Sequence, residues 1–474
     1  DDQDEEEEDE EEEEKEDDES PRRSGKALWG GIKKAVNETT VSDVLHAMGA
    51  VPSGFRTSTL CLKFNEGDTY RMVNYLEPKL SQSNLAYRDL SFDPTTNKIR
   101  SRPARIERLI TLVSCQQIPP PGAGIEVLDR HIRICLFDGQ HILSNIHSVK
   151  VAAVDRSSRS WNFTTRVHDL MDPHMHGEIF VRTNNISDNI GILFELCISY
   201  KRTSERLKST QERGEFSCGW VHLPLLENGA VIMNKSFDLY VHGGTCYEKG
   251  VEVDPSVSRR TTSNALVSLI SGNKQPRLLL KVQVPLQFHK ELMETLPDIL
   301  VGNTCLLRLY SYYRQRLADI LLRDRIDLDS TELIHDPLLK EFPHAADIPD
   351  IMEFFTHEWI KKLREVKKDE KLLAPNLLKD EEFMKELFQK VFMESVYPVS
   401  HLAMLPEYKM GDTENIQLRH ESITRFVEMK RLGKTPLLAL LSADISYEPF
   451  QMNEVAFNII GSHCLSQQSV ITKS

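Results

Sequence analysis

Near Pro285 the apolar residues change period, and that change limits the fold more than any other feature of the chain. Between about residues 105 and 285 they recur in short alternating runs broken by turn residues. HIRICLF (131–137) puts Ile132, Ile134 and Leu136 on one face of a strand, and Asp138-Gly139 then turns the chain. The run 105–114 reads as strand, and further strands are expected at 147–154, 161–167, 177–182, 190–200, 216–223, 236–241 and 278–284. No long helical pattern separates them, which argues for an antiparallel β-sandwich over βαβ units. After Pro285, Leu306, Leu309, Tyr310, Tyr313, Leu317, Ile320 and Leu321 form a helical stripe. Helices are also expected at 348–366, 379–396 (stopped by Pro398), 421–432 and 435–442. The fold class that follows is α+β and multidomain, a sandwich followed by an all-α C-terminal domain.

Charge sets the N-terminus apart. Residues 1–19 hold 17 acids and one lysine, a net −16 against −14 for the whole chain, so the remainder carries +2. Such a run cannot bury a core, and residues 1–24 are expected to be a disordered acidic tail. The nearly neutral body gives little electrostatic reason for nucleic acid as a ligand. Residues 25–104 mix short helical pieces with a stretch at 60–100 that reads as irregular, and form an extension expected to pack on the sandwich (105–285), with the helical domain at 286–465 and a frayed end at 466–474. No stretch reaches the roughly 18 apolar residues of a membrane span, and residues 1–19 have no apolar signal-peptide core. The eight cysteines are scattered, without C-x-x-C, and most sit in apolar runs, as reduced core thiols do.

Chemistry is sparse. HDLMDPHMH (168–176) offers His168, His174 and His176 beside Asp169 and Asp172, the donor types zinc takes. The spacing matches no strong metal motif, and a polar loop between strands is the expected reading. The glycines of GGTCYEKG (243–250) form a turn, not a phosphate loop, because G-x-x-x-x-G-K-[ST] is missing. There is no G-x-S-x-G and no H-E-x-x-H. Neither catalytic nor metal-binding residues are assigned, and no cofactor is expected. Arg314, Arg316, Arg323 and Arg325 read as the solvated face of a helix. Arg100, Arg102, Arg105 and Arg108 form a basic patch suited to phosphates, acidic peptides or anionic lipid. The strand and turn of GWVHLPLLENG (219–229) is of the kind C2 domains show. Asp129, Asp138, Asp155, Asp169, Asp172 and Asp188 are dispersed without D-x-D, so a C2-like sandwich here would not depend on calcium.

Several longer stretches carry a resemblance. They are TVSDVLHAMGAVPSGFRTSTL (40–60), RSRPARIERLITLVSCQQIPPPG (100–122), RHIRICLFDGQHILSNIHSV (130–149), GILFELCISY (191–200), ERGEFSCGWVHLPL (212–225) and GGTCYEKGVEVDPSVSRR (243–260), and more loosely LVGNTCLLRLYSYYRQRLADILLRDR (300–325). Together they resemble the nephrocystin family, in the large C-terminal homology region of its founding type. The likeness covers nearly everything beyond the acidic tail. It implies a non-enzymatic scaffold or adaptor of the ciliary transition zone, or cilium base, and of cell–cell junctions, on the cytoplasmic side and associated with the cytoskeleton. Implied partners are other nephrocystins, especially the fourth, with inversin, jouberin, filamins and focal-adhesion proteins. Such proteins place a coiled coil and an SH3 domain before this region. Neither stands upstream of residue 20, so the chain is expected to be a piece of a longer protein. The resemblance carries over no catalytic and no partner-binding residue. The alternative function is a peripheral, calcium-independent membrane module using the Arg100–Arg108 patch.

Overall fold

A computed structural model describes residues 51–77, 89–96, 98–122, 124–152, 159–165, 172–203, 211–255, 275–326, 336–370 and 376–432. The chain divides into two units, Asp1–Met48 and Gly49–Ser474, and every described residue belongs to the second. The acidic tail, the helical pieces expected within 27–48, the helix expected at 435–442 and the frayed end lie outside the described residues.

In chain order the strands are β1 (Arg56–Thr57), β2 (Leu90–Asp93), β3 (Lys98–Ser101), β4 (Ile106–Gln116), β5 (Ile125–Phe137), β6 (His147–Lys150), β7 (Trp161–Asn162), β8 (Glu178–Thr183), β9 (Gly191–Thr203), β10 (Gln211–Pro224), β11 (Leu226–Glu227), β12 (Ala230–Val231), β13 (Lys235–Tyr240), β14 (Arg277–Gln283) and β15 (Leu300–Asn303). The helices are α1 (Thr59–Asn65), α2 (Val73–Leu76), α3 (Gln287–Met293), α4 (Leu307–Ile326), α5 (Pro337–Ala345), α6 (Pro349–Glu370), α7 (Glu381–Glu394), α8 (Val396–Leu402) and α9 (Thr413–Arg431).

The fold is an antiparallel β-sandwich followed by helices, as the change of period indicates. One sheet has the order β1-β10-β9-β5-β6; the other runs β13-β14-β4-β8-β15, with β7 on β4. Ile132, Ile134 and Leu136 of β5 and Ile192, Phe194 and Leu196 of β9 are buried on one face of the first sheet. Ile110 and Leu112 of β4 pair with Val282 and Leu280 of β14 in the second. Alternation therefore places one apolar face per sheet inside.

β10 carries a bulge where its register against β9 shifts between Ser217 and Gly219. Gly219 has φ +132°, and a Cβ there would lie 2.5 Å from the carbonyl oxygen of His242. Gly219→Ala combines a left-handed backbone with a backbone clash, so a loss of about 3 kcal/mol or more is expected, measured as a lowered urea midpoint.

The structure differs from the sequence expectation in four places. Strand β15 falls after Pro285, inside the stretch read as helical, and pairs with β8. Four residues are too short to announce a period. Its free edge is satisfied by the buried Asn145 amide, which accepts from Val301 N at 2.9 Å and donates to Val301 O at 2.8 Å. Residues 60–100, read as irregular, form α1, α2 and the β2–β3 hairpin. Pro398 does not stop a helix; the break is at Ser395, and Pro398 sits in the first turn of α8, where its missing N–H has no intrahelical partner to lose. Arg314 is not solvated: its side chain is fully buried.

The helices share a core with the sheets. Met72, Leu76, Leu90, Leu109 and Phe180 belong to one buried cluster with Tyr310, Tyr313, Phe342, Phe355 and Phe388. Phe180 meets Tyr310 edge-on at 6.4 Å, and Phe342 stacks on Tyr313 at 5.0 Å.

Candidate functional site

The face of the five-stranded sheet opposite its apolar core is a polar stripe. Register sets His131 beside Cys197, Arg133 beside Glu195, Ser199 beside Glu215, and Cys197 beside Ser217. A polar sheet face normally meets water. Here α1 and the 405–412 segment cover it, so its groups satisfy one another. The buried Glu195 carboxylate accepts from Ser58 Oγ at 2.9 Å and from the backbone N–H groups of Thr59 at 3.0 Å and Leu60 at 2.9 Å. These donors open α1, whose N-cap is Ser58, so Glu195 fixes that helix to the sheet. Burial raises the Glu195 carboxyl above its ordinary value, against the lowering effect of those three bonds.

Next to it, Arg133 donates to both oxygens of Glu215, at 2.7 and 2.8 Å, and to Ser148 Oγ at 3.2 Å. Burial alone would raise Glu215, but the guanidinium outweighs it and holds the carboxyl well below the usual range. His131 is fully buried with Nε2 3.2 Å from Glu215 Oε1 and with no partner at Nδ1. His131, Cys197 and Glu215 each offer a donor atom within 4.8 Å of the other two, the one group of at least three such donors among the described residues.

Above the stripe lies a cleft of about 740 Å³. Cys61, Phe64 and Arg71 form one wall, Arg133 and Glu215 part of the floor, and residues of 341–351 and 405–412 the facing wall. One ion pair ties the facing wall to the floor and another ties α9 to that wall. Arg213 pairs with Asp412, and Arg419 donates to Asp350 at 2.7 and 2.9 Å. His147 and His174 stack at 5.6 Å at the cleft's edge, and burial pushes His147 down to about 3 and His174 also down, so both are neutral at pH 7. Burial pushes the Cys61 thiol up to about 12 and holds Cys135 and Cys197 well above the ordinary thiol value. Nucleophilic cysteines need the opposite shift. Alkylation of the folded chain at pH 8 should therefore spare Cys61, Cys135 and Cys197 and modify them at ordinary thiol rates in urea, read by peptide mass mapping.

The residues singled out in the sequence lie elsewhere. Arg102 and Arg105 are exposed and Arg100 is half-buried, 3.8 Å from Asp93. Arg108 is buried, and its guanidinium donates to Ile232 O at 2.5 Å and Glu107 O at 2.6 Å, so the structure brings three of the four to the surface. His168 and Asp169 lie outside the described residues. His174 and His176 part company: His174 Nδ1 is 3.2 Å from Ser148 O, and His176 Nε2 is 3.1 Å from Thr304 Oγ1. Asp172 caps a short 3₁₀ turn at Pro173–Met175 and pairs with Lys150 at 2.6 Å. The side chains of Arg323 and Arg325 are outside the description. Sequence reasoning missed Arg133, Glu195 and Glu215. The signal for Glu195 was available, a lone acid in the apolar run GILFELCISY: an ionisable group at a core period needs a partner.

No family model matches the chain. It is 40% identical over 435 residues to Nephrocystin-1 of Canis lupus familiaris, covering 91% of this chain and 75% of that protein. It is 25% identical over 415 residues to Nephrocystin-1-like protein of Caenorhabditis elegans, covering 85% of this chain and 53% of that one.

Proposed function

The chain belongs to the nephrocystin-1 family, and on that premise we propose that it is a non-enzymatic scaffold of the ciliary transition zone and of cell junctions, on the cytoplasmic side. It assembles a complex with other nephrocystins, the fourth above all, and with inversin, jouberin, filamins and focal-adhesion proteins. The observation that carries this reading, beyond family membership, is the shared core. Because β15 forms the edge of the second sheet and the helices pack on Leu109 and Phe180, sandwich and helices hold one fixed geometry. A scaffold works by presenting surfaces in a fixed relation. One such surface is α9, where Leu418 is 56% and Met429 43% exposed, with Ser422 and Arg425 between them at helical spacing.

Proximity labelling in ciliated cells tests the reading, with the chain set against Leu418→Glu/Met429→Glu. Removing residues 286–474 is the wrong control, because it takes β15 out of the sheet. The intact chain should label other nephrocystins at the cilium base, and the double variant should lose that labelling. Equal labelling by both removes α9 from the contact; no labelling by either removes the scaffold reading for this chain.

A second reading, peripheral calcium-independent membrane contact, is favoured by one observation. Lys98, Arg100 and Arg102 alternate along and just past β3, with Arg105 exposed beyond them. Co-sedimentation with anionic vesicles that Arg102→Glu/Arg105→Glu abolishes would support it, and absence of co-sedimentation ends it.

A further inference from the structure

We propose that His131, Cys197 and Glu215 bind a zinc-type divalent cation, with Cys61 of α1 as the fourth ligand. The network of the polar stripe explains Arg133, Glu195 and Glu215 as mutually satisfied groups. It leaves His131 incompletely satisfied: the fully buried ring has Nε2 3.2 Å from Glu215 Oε1 and no partner at Nδ1. An imidazole left so is costly unless something coordinates it. The donor atoms of His131, Cys197 and Glu215 are within 4.8 Å of one another. Cys61, in the first turn of α1, lines the same cleft as Arg133 and Glu215, and its Sγ accepts from Asn65 Nδ2 at 3.4 Å. Two sulfurs, one nitrogen and one oxygen are the ligand types of a tetrahedral zinc site, with bonds of about 2.0–2.3 Å. His131, Cys197 and Glu215 already stand together, and Cys61 on α1 would have to turn its thiol toward them to complete the set.

Charge balance favours the exchange. Without the metal the pocket holds Arg133⁺ and Glu215⁻ with two protonated thiols. Binding one divalent ion releases two thiol protons to solvent, so the buried net charge is unchanged. Arg133 then becomes the outer partner that orients the ligating carboxylate. Cys61, Arg133 and Glu215 line the cleft, which gives the ion its way in. The bond to Cys61 would pin α1 to the sheet, beside the anchor that Glu195 already provides.

The probe is Co²⁺, titrated into the full chain under reducing conditions and followed by absorption, with Zn²⁺ as competitor. One equivalent should produce a thiolate charge-transfer band and the intense visible bands of tetrahedral cobalt, and Zn²⁺ should remove both. Release of two protons makes the affinity rise about 100-fold per pH unit near neutrality. Cys61→Ser should halve the charge-transfer band, and Cys197→Ser should weaken it and lower the affinity at least tenfold, with circular dichroism showing that each variant is folded. Cobalt held by the acidic residues 1–19 would be octahedral and pale, without a thiolate band. No band in the wild-type chain, or a band unchanged in both variants, overturns the proposal.

Discussion

Arg314→Leu is expected to cost roughly 3–5 kcal/mol of stability and to lower the urea midpoint of the whole described fold in one transition. The buried guanidinium donates to Leu76 O at 2.7 Å, Thr295 O at 2.9 Å and Asp89 Oδ2 at 2.5 Å. It therefore joins α4 to the end of α2, to the segment before β2 and to the loop after α3. Leucine fills part of the volume and leaves a buried carboxylate and two carbonyls without their donor, which is where the cost arises. Arg314→Lys keeps the charge but has no fork to reach three acceptors, so it should recover only part of the loss. Arg314→Leu with Asp89→Leu should lose less than the two single changes summed, because the stranded charge is gone. A loss within 0.5 kcal/mol for Arg314→Leu would show that water replaces the guanidinium.

Asp347 should make the fold less stable as pH rises from about 4 to about 7. This carboxyl lies between α5 and α6, and Oδ2 accepts from Met72 N at 2.6 Å. Burial pushes it up to about 7 from its ordinary 3.8, against the opposing effect of the Met72 N–H. The sign follows from proton counting. In that window the unfolded chain has lost the proton and the folded chain still holds it, so unfolding releases a proton and stability falls with pH. Above about 7 both states are ionised and the contribution is flat. Asp347→Asn keeps an acceptor for Met72 and removes the charge. It should match the wild type near pH 4 and exceed it at pH 8 by roughly 3–4 kcal/mol. Urea midpoints at the two pH values check this; parallel profiles for the two proteins would refute it.

These residues mark where sequence reasoning stopped. Alternation in HIRICLF and GILFELCISY identified strands because a sheet with one dry face repeats every two residues. The helical stripe from Leu306 to Leu321 identified α4 for the corresponding reason. The same stripe misassigned Arg314. Periodicity tells which face a residue occupies and not whether that face meets water, and residues 76, 89 and 295 supply the acceptors that bury this one. Strand β15 escaped because its partners are β8 and the Asn145 side chain, and nothing local in LVGN distinguishes a strand from a helix start. The candidate site was less legible still. The histidines of 168–176 looked like ligands through proximity in sequence, whereas the donor set the structure assembles joins residues 131, 197 and 215.

By itself the sequence determined the order of the two architectures, because the period of apolar residues is a local property that survives any tertiary arrangement. It also carried family membership, since the long matched stretches need no geometry to be recognised. Only the tertiary structure decided which charges are buried and with whom. Arg133 and Glu215 stand 82 residues apart, and their pairing depends on β5, β9 and β10 aligning in one register beneath α1. Whether a charge is stabilising or costly is settled by the few ångströms around it, and those are filled by segments that the local sequence does not contain.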